Sequence, residues 1–574
     1  MTGARSPALL GVLGPLGVAI AVLYLYAATL SPRAFQTHEG LHPYARTQQL
    51  LAEWARGHVP PQVFPDAVGG LGAAFPRYYP PLPYAVGTLL AALTGDLVWG
   101  VNLAFLLAAL TSAATGYAFV RGVVGDDRLA ICGALVAVSA PYRLAQVFVR
   151  GALAEAWSLA LHPLVLLGCW RAIERGQAPV YLPLALAGLL LSHQITLPFA
   201  LPLFMALALV AARAQGPRVL ARLAAMAVLG VGLAGFFLVP QRAGLGDLRL
   251  ADPVLMGATP AAVALQRVRP GQLLESPSAE RWFGLARPEP EPDQMSFAFG
   301  WVPLLAFPLA VVAWARGRAS AARRVGLVLV GFSLGALAFA VWPRPWFLLL
   351  PDSMAYVQFP WRLLGLSGLS AALGLPLCLG ALGLGERGRW ASAALGLAAV
   401  ACVPPFERQA LSRPQWTSGH FSPETVGASG ALGFTVQGEY LPHAYLPGMP
   451  APQAPAISAG RVVSWRREGA ALFVELDAPD GGEVTLPVFA FDFQHARDGA
   501  GTTLRARAAG PWLKVVVPPG TRQLRVAPRP VAAAKWGLAL SVSSLVALVV
   551  SVGRGRRRAV DGPRDVGRPG GTAP

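Results

Sequence analysis

Residues 97–120 read LVWGVNLAFLLAALTSAATGYAFV, a run with no charged side chain, closed by Arg121. As a helix this run is about 36 Å long, enough to cross the roughly 30 Å hydrocarbon layer of a bilayer. Comparable apolar runs lie at about 8–30, 129–147, 153–173, 178–193, 195–213, 219–240, 297–315, 324–342, 361–383, 388–404 and 534–552. The pattern predicts an α-helical polytopic membrane protein of about twelve spans. The run at 8–30 is too long for a signal-peptide core and lacks a cleavage site, so it reads as a retained anchor. Residues 81–93 form a shorter apolar stretch that opens in prolines, which predicts a re-entrant or interfacial helix that does not cross.

Composition agrees. Of 574 residues, 54% are hydrophobic and 13% charged, where a soluble chain carries about 25% charged residues. This argues against a soluble enzyme, a disordered chain and a disulfide-stapled domain. The four cysteines, Cys132, Cys169, Cys378 and Cys402, fall in apolar segments without metal-ligand spacing.

The net charge of +18 has to be sorted by side of the membrane before it says anything about partners. With the N-terminus inside and twelve spans, the inside segments hold 20 arginines and six acids, net +14, leaving +4 outside. The charge is therefore topological and gives no case for a nucleic-acid partner. The topology implies a multi-pass membrane protein. Residues 1–404 form the transmembrane domain, with a large first outer loop at 31–96. Residues 405–533 face outward, 534–552 form the last span, and 553–574 are a basic, disordered cytoplasmic tail. Strand-like runs at Arg461–Trp465, Ala471–Leu476, Glu483–Phe491, Thr502–Ala506, Trp512–Val517 and Gln523–Val526 predict a small, sandwich-like β domain at about 458–528.

Ionisable residues beside apolar segments are costly and mark function. Here they gather at the outer ends of the runs: His38, Glu39, His42, Asp66, Arg77 and Tyr78 in the first loop; Tyr142, Arg143, Arg150 and Glu155 at the next turn; then His193, Gln358, Arg362, Glu439 and Tyr440. Arginine forks bind phosphate oxygens, carboxylates accept a proton from an attacking hydroxyl, and aromatics cover sugar faces. Such a set suits a phosphate-bearing, lipid-linked substrate. Arg150 and Glu155 also fit a purely structural pair. A non-catalytic protein that transports or holds a lipid-linked glycan is the second reading, although the spans carry almost no charge near mid-membrane.

His38-Glu39-Gly40-Leu41-His42 formally matches the HExxH zinc-hydrolase pattern, a third reading. Gly40 lies inside the motif and Pro43 follows it, so a helix is expected to begin only at Pro43. No third ligand is evident, and no metal residue is assigned.

The chain resembles a bacterial membrane-protein family labelled 6-pyruvoyl-tetrahydropterin synthase-related, similar in architecture to GT-C glycosyltransferases. The resemblance runs from about 35 to 550. It rests on Glu39 and His42, Phe75-Pro-Arg-Tyr-Tyr-Pro-Pro-Leu-Pro83, Ala140-Pro-Tyr-Arg143 with Arg150-Gly-Ala-Leu-Ala-Glu155, Leu191-Ser-His193, Gln358-Phe-Pro-Trp-Arg362 and Gly438-Glu-Tyr-Leu-Pro442. It implies transfer of a sugar, with inversion, from a polyprenyl-phosphate donor at the outer face. Glu39 would be the base or a metal-linked carboxylate, one methylene or about 1.3 to 1.5 Å longer than the family's Asp. Asp66 or Glu155 would be a second acid, and Arg77, Arg143 and Arg150 would meet the donor phosphate. A divalent cation, Mg or Mn, is left open. The pterin label carries no chemistry here, since no cluster of three zinc-ligand histidines is apparent.

Overall fold

The computed structural model describes residues 6–35, 37, 39, 41–275, 296–403, 417–421, 438–446 and 448–560. Among the described residues, six helices are long and apolar enough to cross a membrane: Leu97–Val124, Leu153–Arg175, Thr196–Gln215, Ala321–Val341, Pro360–Ala381 and Ala532–Gly553. Two further pairs, Asp127–Ser139 with Pro141–Phe148 and Arg218–Leu233 with Gly235–Asp247, pass the same test together but bend by 45° and 69°. That makes six to eight crossings by length, against the twelve expected. The remaining expected spans are shorter helices: Gly11–Leu25, Tyr181–Leu190 and Trp301–Arg316, and Glu386–Ala401. At 1.5 Å per residue, Tyr181–Leu190 is only about 15 Å long.

Leu82–Thr94 is a helix of 13 residues, about 20 Å long. It ends at Gly95, φ 70°, and turns back to pack on Leu97–Val124. The packing is close enough that a Cβ on Gly100 would lie 2.4 Å from the Ala91 nitrogen.

The 69° break has a specific support. Bending a helix frees backbone groups that hydrocarbon cannot satisfy. Ser541, on the last helix, donates to the carbonyls of Gly232 (3.1 Å) and Leu233 (3.0 Å) and accepts from Phe236 N (2.8 Å). One hydroxyl thus stitches the break, and the chain beyond it is aimed toward Gln241 and Arg242.

The helices have two chemically distinct ends. Leu153–Arg175 carries Glu155 in its first turn and Arg175 in its last, about 30 Å apart. At the Arg175 end, Arg171 pairs with Glu174 (2.7 Å). Neighbouring loops are tied by Arg121 with Asp127 (2.6 Å), Arg128 with Glu386 (3.3 Å) and Arg389 with Asp126 (3.1 Å). The outward face of the bundle is apolar, with Val228, Trp314 and Trp536 exposed.

The C-terminal domain has eight strands: β1 (Ala456–Ile457), β2 (Arg461–Glu468), β3 (Ala471–Ala478), β4 (Gly482–Phe489), β5 (Gln494–Asp498), β6 (Thr503–Ala509), β7 (Trp512–Val517) and β8 (Thr521–Pro528). All pairings are antiparallel, in the order β1-β4-β7-β6-β5-β8-β3-β2. The two ends of that order, β1 and β2, are consecutive in the chain, so the sheet curls on itself as a barrel-like body. Leu472, Val474, Val484, Leu486, Val515 and Leu524 fill its core. Strand β5 has no alternating apolar pattern, only Ala496 being fully buried, which is why sequence reading passes over it. The last helix, Ala532–Val560, continues past the expected end of its span, so the first residues of the expected tail are helical. Residues 561–574 lie outside the described residues.

Candidate active site

A cavity of about 570 Å³ opens where the first loop, the Glu155 ends of the helices and the 439–440 turn meet. Its position is set by a local constraint. Gly151 adopts φ +68°, and a Cβ there would come within 2.2 Å of Thr37 Oγ1. The first loop therefore lies directly on the Arg150–Gly151 turn, and Glu39 N donates to Arg150 O (2.9 Å). The helix that follows starts at His42 with Pro43 in its first turn. His42 and Glu39 consequently face each other, His42 Nδ1 lying 3.5 Å from the carboxylate.

A quarter of the Glu39 side chain remains open to the cavity. Burial raises its pKa, but the hydrogen bond to His42 and the charges of Arg46, His42 and Arg150 outweigh burial and bring it down to about 2. Arg46, one turn beyond His42, is 2% exposed. Its guanidinium stacks 4.3 Å from the Phe75 ring and 5.1 Å from Tyr79, and donates to Tyr84 Oη (2.9 Å). An aromatic cage thus holds a cation beside the carboxylate.

Beside it, Arg150 and Glu155 form a buried ion pair. Arg150 also donates to Tyr142 Oη (2.9 Å) and lies 4.9 Å over Trp361. Arg362 donates to Val357 O (3.0 Å) and Gln358 Oε1 (3.3 Å). Gln358 holds φ 58°, a conformation rare outside glycine and concentrated at functional sites. His193 sits in the loop before Thr196–Gln215; burial pushes its imidazole down to about 4, so it is neutral at physiological pH. His193 Nδ1 and Arg362 Nε are buried without a partner among the described residues, which leaves donors or acceptors for a ligand.

Of the residues singled out from sequence, Glu39, Tyr78, Arg150, Glu155, His193, Gln358, Arg362, Glu439 and Tyr440 line this cavity. His42 and Tyr142 back it through Glu39 and Arg150. Three stand elsewhere. Arg77 pairs with Asp492 and points at the β domain, with Phe493 5.3 Å away. Arg143 donates to Ala156 O (3.0 Å) and is wedged between helices. Asp66 accepts from Gln49 Nε2 (3.2 Å). His38 lies outside the described residues. Sequence reading assigned no role to Arg46, Tyr79, Tyr84, Gln241 and Arg242, which also line it. Arg46 was legible as the position one helical turn after His42. Arg242 is exposed at the cavity mouth and has no ion pair or side-chain hydrogen bond among the described residues.

No group of three His, Cys, Asp or Glu among the described residues is placed to hold a metal ion. The charge of Glu39 is already met by His42, Arg46 and Arg150. Among the described residues, the donor set does not fit a divalent cation.

No curated protein sequence matches the chain. Among solved structures, the mycobacterial arabinofuranosyltransferase AftD is similar at 16% identity and a TM-score of 0.43, over 75% of this chain and 27% of that one. This chain thus spans little more than a quarter of that transferase. ArnT from Cupriavidus metallidurans, solved with undecaprenyl phosphate, is similar at 15% identity and a TM-score of 0.37, over 73% of this chain and 69% of that one. Residues 76–252, from the first loop through the broken helix, match the model of the 6-pyruvoyl-tetrahydropterin synthase related domain, a membrane-protein family.

Proposed function

We propose that the protein is a membrane glycosyltransferase that moves a sugar from a polyprenyl-phosphate donor to a hydroxyl acceptor at the extracytoplasmic face of the cytoplasmic membrane. The observation that carries this reading is the Glu39 carboxyl group, partly open to a cavity walled by Arg46, Arg150, Arg362 and Arg242. The acceptor hydroxyl gives its proton to Glu39 while its oxygen bonds to the anomeric carbon. The bond from that carbon to the phosphate oxygen breaks, and the phosphate leaves with the electron pair. Attack opposite the leaving group inverts the anomeric centre. Arg242 and Arg362 carry the donor groups suited to the phosphate oxygens. A phosphate docked there cancels part of the positive field that holds the carboxyl down, so Glu39 becomes a better base once the donor is bound. Tyr79, Tyr84 and Tyr440 supply the apolar surface for sugar and lipid.

The test is Glu39→Gln, assayed for transfer from a polyprenyl-phosphate sugar in purified, correctly inserted protein. Loss of about 10² to 10⁴ in rate is expected for removing a general base. Full activity would sink the assignment. A protein that only holds or moves the lipid would bind polyprenyl phosphate and show no transfer in either form.

A further inference from the structure

The β domain carries a second concavity of about 570 Å³, on the outer face of β2, β3, β8 and β5. One rung of the sheet crosses all four strands as Arg466, Phe473, Arg525 and Arg497, each paired with the next. Arg466 and Arg525 lie 4.4 Å and 5.3 Å from the Phe473 ring, leaving their N–H edges for other partners. Arg466 is countered by Glu468. Arg525 and Arg497 are directly opposite each other, an arrangement that destabilises a sheet, and neither has an ion pair among the described residues. Arg529 adds another charge at the rim. The next rung on this face is polar, with Ser464, Glu475 and Gln523 aligned.

We propose that this groove binds an acidic glycan, a sugar chain bearing carboxylate or phosphate groups. An anion between Arg497 and Arg525 relieves their repulsion, and the Ser464 rung hydrogen-bonds hydroxyls. A flat anionic membrane fits less well, because Glu475 and Asp498 also line the groove and would be repelled by it. The groove is also close to the cavity through protein contacts: Arg529 N donates to Phe493 O (2.8 Å), Phe493 packs on Arg77, and the adjacent Tyr78 lines the cavity. That the bound glycan is the far part of the acceptor rests on the transferase reading; binding itself does not.

The experiment measures binding of a galacturonic acid oligomer to the full chain in detergent at low salt, with maltohexaose as neutral control. The acidic oligomer should bind, and Arg497→Gln with Arg525→Gln should weaken it by at least about tenfold, with Arg497→Lys and Arg525→Lys falling between. Without glycan, Arg497→Gln alone should melt no earlier than wild type, because it removes the like charge and leaves Arg525 on the Phe473 ring. Glu39→Gln should leave binding unchanged, which separates failure of this site from failure of the transfer reading. Equal binding of maltohexaose, no binding of the acidic oligomer, no loss in the double Gln variant, an earlier melt of Arg497→Gln, or equal competition by phosphatidylglycerol vesicles would each overturn the proposal.

Discussion

The cavity among the helices and the groove on the β domain are equal in volume and opposite in their treatment of arginine. In the cavity, Arg150 meets Glu155, and Arg46 is held by three aromatic rings. In the groove, Arg497 faces Arg525. Burial explains the difference. A cation removed from water has to be compensated by the chain itself, so the cavity is organised before any substrate arrives. A cation on an exposed sheet face is solvated and can wait for an external anion.

The comparison is broken most severely at the cavity's ion pair. Glu155→Ala leaves Arg150 buried without its anion and should cost about 3 to 5 kcal/mol in unfolding free energy. Glu483→Ala, which removes the half-buried surface partner of the exposed Arg507 on the β domain, should leave the melting curve nearly unchanged. Equal effects of the two would mean that burial is not what separates the regions. Next in size is Gly151→Ala, which forces a side chain into a positive-φ turn lying on Thr37. The conformational part alone should cost about 1 to 2 kcal/mol. Transfer should fall further than stability does, because Glu39 hangs on the same turn. Adding Thr37→Ala should relieve the clash and leave the φ penalty.

Arg242→Ala should change no melting temperature, since the side chain is exposed and has no ion pair among the described residues. It should raise KM for the phosphate donor by about tenfold, equivalent to about 1.4 kcal/mol. The smallest expected effect is that of mild acid on transfer. Glu39 at about 2 and His193 at about 4 both titrate below the range, so neither should bend the rate profile of the free enzyme between pH 5 and 8. Stability behaves differently. The unfolded chain takes up a proton on His193 near 6.5 and on Glu39 near 4.5, before the folded chain does at either site. Stability should therefore fall as pH drops below about 6.5 and fall further below 4.5. A rise in melting temperature over that window would contradict both shifts.

Much of this was legible in the sequence, for identifiable reasons. Charged residues at the ends of apolar runs are rare enough to stand out, so Glu39, Arg150, Glu155, His193 and Arg362 could be named. Their neighbours Arg77 and Arg143 looked the same by that criterion. What turns Arg77 away is Asp492, 415 positions later in the chain, a partner no local pattern contains. The run at 219–240 reads as one span, yet it breaks at Ala234, and the hydroxyl that supports the break lies on Ser541. Span counting by composition sums residues; it cannot see a helix that stops after ten of them, as Tyr181–Leu190 does.

The stitch made by Ser541 bears on how the protein can be cut. The C-terminal helix is commonly regarded as a removable membrane tether for whatever domain precedes it. Here it is also an internal brace: removing everything after the β domain withdraws the hydroxyl that closes the break before Gln241 and Arg242. A truncated transmembrane core is thus not an independent module, and exchanging this helix for a generic anchor would keep the protein in the membrane while loosening one wall of its cavity.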